Sequence, residues 1–161
     1  MLEIILTEEA QRLQAKYPEI SFIPKKMTEK ACGYDVRYCG EKDIVLSPQE
    51  EFKIPTGFHT KLKGLEEKPN NIKLGLFILP RSSINGFMLT NTLGLGDLEE
   101  YEGQYFVKVF NRTDEVKVIK AFERIAQVVI VPTFDMDFIV VDSFTENSSR
   151  GSGGFGSTGK I

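Results

Sequence analysis

The stretch Pro80-Arg81-Ser82-Ser83-Ile84-Asn85-Gly86 follows a strongly apolar run and sets a guanidinium beside two hydroxyls in a turn. Free backbone N–H groups in such a turn, together with one fixed arginine, suit phosphate oxygens. A serine nucleophile there would need a base and an orienting acid, and His59 lies in a strand-like stretch offering neither. Downstream, Asn91-Thr92-Leu93-Gly94-Leu95-Gly96-Asp97 leads into Leu98-Glu99-Glu100-Tyr101-Glu102-Gly103. This reads as a hairpin whose glycines admit a flat ligand to the backbone, with Asp97 able to act as a general base on water. Near the end, Arg150 and Phe155 stand alone in a stretch of glycine, serine and threonine, which points to a segment that orders over a ligand. The spacing Gly154 to Lys160 imitates a phosphate-binding P-loop, but Ile161 follows the lysine where Ser or Thr is required, and that reading is rejected.

Elements must position these groups. Thr7 can cap a helix over Thr7–Lys16 that carries acidic residues in its first turn, and Tyr17-Pro18 ends it. Beyond it the pattern is one of short strands: Ile20–Ile23, Asp43–Leu46, Glu51–Ile54, Lys73–Leu79, Tyr105–Phe110, Val116–Ile119 and Gln127–Val131. β-branched and aromatic residues fill them, and Gly, Pro, Asn or Asp separates them. The fold class is therefore all-β, a sandwich or jelly-roll-like domain, with a short N-terminal helix. Residues 1–146 are read as this domain, including an N-terminal strand and helix extension over 1–18. Residues 147–161 are read as a flexible Gly-rich lid, and Lys63–Asn71 as a polar surface loop.

With 161 residues, 41% hydrophobic and 27% charged, the chain suits one core and is not a disordered composition. No apolar run is long enough to span a bilayer, and the acidic start is unlike a secretory signal. The net charge of −3 with scattered Lys and Arg disfavours a nucleic-acid partner. Cys32, Cys39 and the single histidine cannot complete a zinc site, and nothing indicates an oxidising compartment that would link the two thiols. The expected setting is cytoplasmic, with a nuclear or viral-host context left open.

In order along the chain, these pieces resemble the dUTPase family. Cys32-Gly33-Tyr34-Asp35-Val36-Arg37 resembles its first motif, Pro80–Gly86 the second and Asn91–Gly103 the third. Glu123-Arg124-Ile125-Ala126-Gln127 resembles the fourth, and Arg150–Gly159 the fifth. The resemblance implies a homotrimer with active sites shared between copies, no membrane partner, and Mg2+-dependent hydrolysis of dUTP to dUMP and pyrophosphate, which limits uracil incorporation into DNA. It implies that Asp97 activates the water attacking the α-phosphorus. Asn91 and the backbone around Gly94 would read uracil, and Tyr101 would pack on the deoxyribose. Arg81, Ser82 and Ser83 would hold phosphates, Gln127 would help close the site, and Asp35 would support the magnesium ion through water. Arg150, Phe155, Gly156, Ser157 and Thr158 would form the closing lid.

Three departures from the family pattern bear on activity. Leu98, Glu99 and Glu100 place three residues between Asp97 and Tyr101 where two are usual, an insertion that a bulge can absorb or that can shift Tyr101 and tilt the base-reading backbone. Gly96 replaces a packing Ile or Val, and Glu102 a residue that is often Arg or Gln. Two alternatives follow. One is a nucleotide-binding regulatory protein with slow hydrolysis. The other is dCTP deaminase, whose general-base glutamate would fall on Lys108 here.

Overall fold

Strict alternation along Phe106–Asn111 buries Val107, Val109 and Asn111 and leaves their neighbours half-exposed. A strand covered on one face requires that pattern. The computed structural model describes residues 2–64 and 71–143, and they build an all-β domain with one helix. Chain order is β1 (Leu2–Leu6), α1 (Glu8–Lys16), β2 (Tyr34–Arg37), β3 (Ile44–Leu46), β4 (Glu51–Pro55), β5 (Phe58–Leu62), β6 (Ile72–Pro80), β7 (Phe87–Leu89), β8 (Gly94–Asp97), β9 (Phe106–Asn111), β10 (Lys117–Ile119) and β11 (Arg124–Phe134). The expected lid, 147–161, lies outside the described residues.

The strands form four antiparallel groups: β1-β5, β10-β3, β2-β11-β6-β8 and β4-β9-β7. Their inner faces share one core that includes Leu46, Ile54, Phe58, Leu76, Val107 and Ile125. β6 is the spine of the site, since it is bonded to β11 along one edge and to β8 along the other. Helix α1 forms as read, with the Thr7 hydroxyl accepting from Ala10 N at 3.2 Å. Ala10 and Leu13 pack on a smaller cluster with Phe22 and Cys39. Cys32 is exposed, Cys39 is buried and the two are unlinked. Burial pushes the Cys39 thiol up to about 11.

Two expectations about elements fail. Ile20–Ile23 is not a strand, because Ile20 N bonds back to Tyr17 O and Ile23 N to the Ser21 hydroxyl. Phe22 instead buries its ring 6.2 Å from Phe122, so its apolar character serves the small cluster. The Asn91–Gly103 hairpin is also not found. β8 pairs with β6, with Asp97 opposite Gly75 and Gly94 opposite Ile78, and the returning chain does not pair with β8.

One buried polar side chain ties the core together. Asn111 donates to Leu46 O, Ser47 O and Glu115 O at 3.1, 3.0 and 2.8 Å, and accepts from Thr113. Asn111→Ala is expected to strand these carbonyls and cost about 3 kcal/mol in chemical denaturation.

Candidate functional site

The first and fourth motifs meet on neighbouring strands. β2 pairs with β11, Asp35 lies opposite Gln127, and β11 also carries Arg124. The second motif begins where β6 ends, so Arg81 emerges beside the same strand. The Asp35 carboxylate is nearly buried and receives two guanidiniums on Oδ2, Arg124 at 3.0 Å and Arg81 at 3.2 Å. Arg81 is aimed by a second bond, donated to Arg124 O at 2.8 Å. Gln127 is fixed by its amide, which donates to Pro80 O at 2.9 Å. A Cβ at Gly33 would meet the Gln127 amide oxygen, so a larger residue there would push the Gln127 amide from its place.

These groups line a concavity of about 200 Å3 that includes Gly33, Asp35, Arg81, Ser82, Arg124 and Gln127. Ser83 is exposed and does not line it; its carbonyl accepts Asn85 N at 3.0 Å, which closes the turn. Arg37 stands close by, donating to Phe122 O at 2.8 Å. Its guanidinium is held below its ordinary range by burial first, then by repulsion from Arg124 and Arg81, with Asp35 opposing. One carboxylate among three guanidiniums leaves an excess of positive charge, which suits a polyphosphate.

A second concavity, about 300 Å3, is lined by residues that include Asn91, Gly94, Tyr101, Gln104, Tyr105 and Phe106. The Asn91 side chain donates to Phe106 O and accepts from Lys108 N, both at 3.0 Å, and so ties the segment that leads into β8 to β9. Tyr105 is buried, its hydroxyl 2.9 Å from that of Thr60, and burial raises its pKa. Gly96 is explained by this ring: a Cβ on Gly96 would clash with the Tyr105 Cε1 edge and hydroxyl. Tyr105 thus fills the space an Ile or Val at 96 would need.

Asp97 is exposed at the end of β8, on the rim of a third concavity with Lys73, Gly75 and Thr133. No donor among the described residues reaches its carboxylate. Its carbonyl accepts from both Glu100 N at 3.2 Å and Tyr101 N at 2.8 Å. The extra residue is therefore taken up by a tight turn rather than by a β-bulge. The bonds close it on Asp97 O, and Leu98 is buried beneath it.

Distance divides the predicted residues into two groups. Asp97 is level with Gly75 on β6, whereas Arg81 lies just past Pro80. Six residue steps separate the two levels, about 20 Å at a strand's rise. A single chain brings together Asp35, Arg81, Ser82 and Gln127, and separately Asn91, Gly94 and Tyr101. It does not bring Asp97 to Arg81. Arg150, Phe155, Gly156, Ser157 and Thr158 lie outside the described residues. Arg124 was missed as a site residue, although its place inside the Glu123–Gln127 motif was a usable signal.

A dUTPase family profile matches residues 20–159. The chain belongs to the dUTPase family. The deoxyuridine 5'-triphosphate nucleotidohydrolase of Neisseria meningitidis serogroup C is 43% identical over 141 residues, covering 86% of this chain and 88% of that protein. Among solved structures, the Staphylococcus bacteriophage 80alpha dUTPase, determined with dUpNHpp, has the same fold. Its TM-score is 0.73 at 22% identity, over 99% of this chain and 98% of that one. The dUTPase of phage phi11 of S. aureus, described with a structural Mg(II) ion, aligns with a TM-score of 0.61 at 19% identity, over 91% and 99% of the two chains. The family match takes in the Asp35 and Arg81 cluster and the Asn91–Tyr101 pocket alike.

Proposed function

We propose that this chain, as a nucleotidohydrolase of the dUTPase family, cleaves dUTP to dUMP and pyrophosphate at sites shared between copies. One observation carries the second half of that statement. The strand level that carries Asp97 and the strand end that carries Arg81 lie about 20 Å apart along β6 in one chain, too far for both side chains to meet one phosphate chain. A site using both must take Asp97 from one copy and Arg81 from another. Exposed apolar side chains at Leu95, Met88, Phe138 and Val140 support association, the last two being 98% exposed. The homotrimer is the assembly the family resemblance implies, and it accommodates a lid contributed by a further copy.

In this reading Arg81, Arg124 and the Ser82 hydroxyl bind the phosphate chain of dUTP. Asn91 and the Gly94 backbone read the uracil edge. Cytosine is rejected because it presents a donor where uracil presents an acceptor, leaving a backbone N–H unpaired. Tyr101 packs on the deoxyribose and leaves no space for a 2'-hydroxyl. Asp97 takes the proton from the water that attacks the α-phosphorus. Arg150, Phe155, Gly156, Ser157 and Thr158 close over the nucleotide and exclude bulk water.

The donor set fits a magnesium ion carried in by the substrate. No group of three metal-ligating side chains occurs among the described residues, so a cage made only of protein is not offered. Both arginine contacts fall on Asp35 Oδ2, so Oδ1 is left to accept from a metal-bound water. When bound, the ion neutralises phosphate charge and makes the pyrophosphate a better leaving group.

Deamination has no support, since Lys108 occupies the place of the base and is paired with Glu51 at 2.6 Å. The test is pyrophosphate release in magnesium from dUTP, dCTP, dTTP and UTP in parallel. Release from dUTP alone is expected. Binding of dUTP with no release from any of the four would replace catalysis by a regulatory role.

A further inference from the structure

The segment that carries Tyr101 is fastened along β5. Leu62 N–H donates to Leu98 O at 3.0 Å, and Tyr105 N–H donates to Phe58 O at 3.2 Å, so both ends are tied to the β5 main chain. Between these ends two β5 side chains grip one residue. His59 Nδ1 lies 2.9 Å from Glu102 O, and the Lys61 ammonium pairs with the Glu102 carboxylate. A carbonyl only accepts, so the first contact puts a proton on Nδ1. The opposite edge of β5 is paired with β1 from Leu2 to Leu6, which stiffens the platform from behind.

We propose that His59 and Lys61 are positioning residues for sugar selection: by holding Glu102 they fix the depth of Tyr101. The inference rests on the reading that Tyr101 packs against the deoxyribose. Glu100, Tyr101 and Glu102 are all exposed, and the tight turn before them is one residue longer than the family pattern. Such a segment needs an outside anchor to hold a side chain to within a fraction of an ångström. The Tyr101 hydroxyl donates to Gln104 O at 2.9 Å, and Gly103 leaves room for it, so residues 101–104 move as one unit with Glu102. The Tyr101 ring also rests 5.3 Å from Tyr105, whose hydroxyl reaches Thr60 on β5. Of the two grips, the histidine contact matters more. An exposed ion pair contributes little, whereas a bond to the main chain fixes the backbone itself.

The test compares kcat and KM for dUTP and UTP, in magnesium, across variants of the full chain. His59→Gln moves the amide away from the Nδ1 position, and His59→Asn keeps an N–H there. The dUTP-over-UTP ratio of kcat/KM is expected to fall roughly five-fold in His59→Gln and to be largely retained in His59→Asn. Lys61→Ala should lower it by about two-fold or less. The rise in KM for dUTP should exceed any fall in kcat. Tyr101→Ala separates the two layers of the argument. A ratio that collapses in Tyr101→Ala but is unmoved in His59→Gln overturns the positioning role alone. A ratio unmoved in Tyr101→Ala overturns the sugar-packing reading and this inference with it.

Discussion

Asp97→Asn is expected to lower pyrophosphate release from dUTP by roughly 10²–10⁴-fold, the range of a lost general base, while dUTP still binds. The substitution keeps the shape of the side chain and removes only its basicity. It should leave the fold intact, because the side chain is exposed and what the turn uses is the Asp97 carbonyl, which accepts from Glu100 N and Tyr101 N. Single-turnover kinetics on saturated enzyme would place the loss in the chemical step. Wild-type rates in Asp97→Asn would remove Asp97 from the mechanism.

The second large effect concerns stability. In the dUTPase family an Ile or Val is usual before the aspartate, so Gly96→Ile looks like a return to the family pattern. Here it is expected to destabilise by about 2–4 kcal/mol, combining overpacking with loss of a buried hydrogen bond. Tyr105 already fills the space, and its ring is held by the Thr60 hydroxyl and by Phe58 at 5.4 Å. Moving that ring also removes the surface on which Tyr101 rests. Denaturant midpoints at matched protein concentration would measure the loss. Adding Tyr105→Leu to Gly96→Ile should recover part of it, since the two sites share one volume. A Gly96→Ile chain as stable as the parent would show that the ring yields without cost.

How much of this was legible in the sequence depends on what each residue's signal encodes. Lys73–Leu79 and Gln127–Val131 read as strands because their apolar residues are continuous, and both are strands, one residue longer at each end for β6 and longer still for β11. Thr7 announced its helix because a hydroxyl before two glutamates has a local use, and the cap is there. Ile20–Ile23 misled because apolar character marks burial before it marks conformation, and Phe22 is buried without a strand. The supposed hairpin misled for a different reason. Glycine spacing shows that a turn is present, but the partner chosen by Gly94–Asp97 is β6, about twenty residues upstream, and no local signal names it. The phosphate cluster was half legible: Arg81 stood out in its turn, whereas Arg124 drew its meaning from Asp35, 89 positions away. Glu102 looked like an arbitrary departure until His59 and Lys61 were seen against it.

The central claim is that hydrolysis takes place at sites built from more than one copy, and mixing two inactive variants tests it most directly. Arg81→Ala lacks a phosphate ligand and Asp97→Asn lacks the base, so each alone should release almost no pyrophosphate from dUTP. Co-refolded at equal amounts, they should regain activity in about a quarter of the sites, the fraction that draws an intact Arg81 from one copy and an intact Asp97 from another. Native mass measurement would establish that mixed assemblies had formed. Mixed assemblies as inactive as their components would contradict the account, because Arg81 and Asp97 would then have to serve the same site from the same chain.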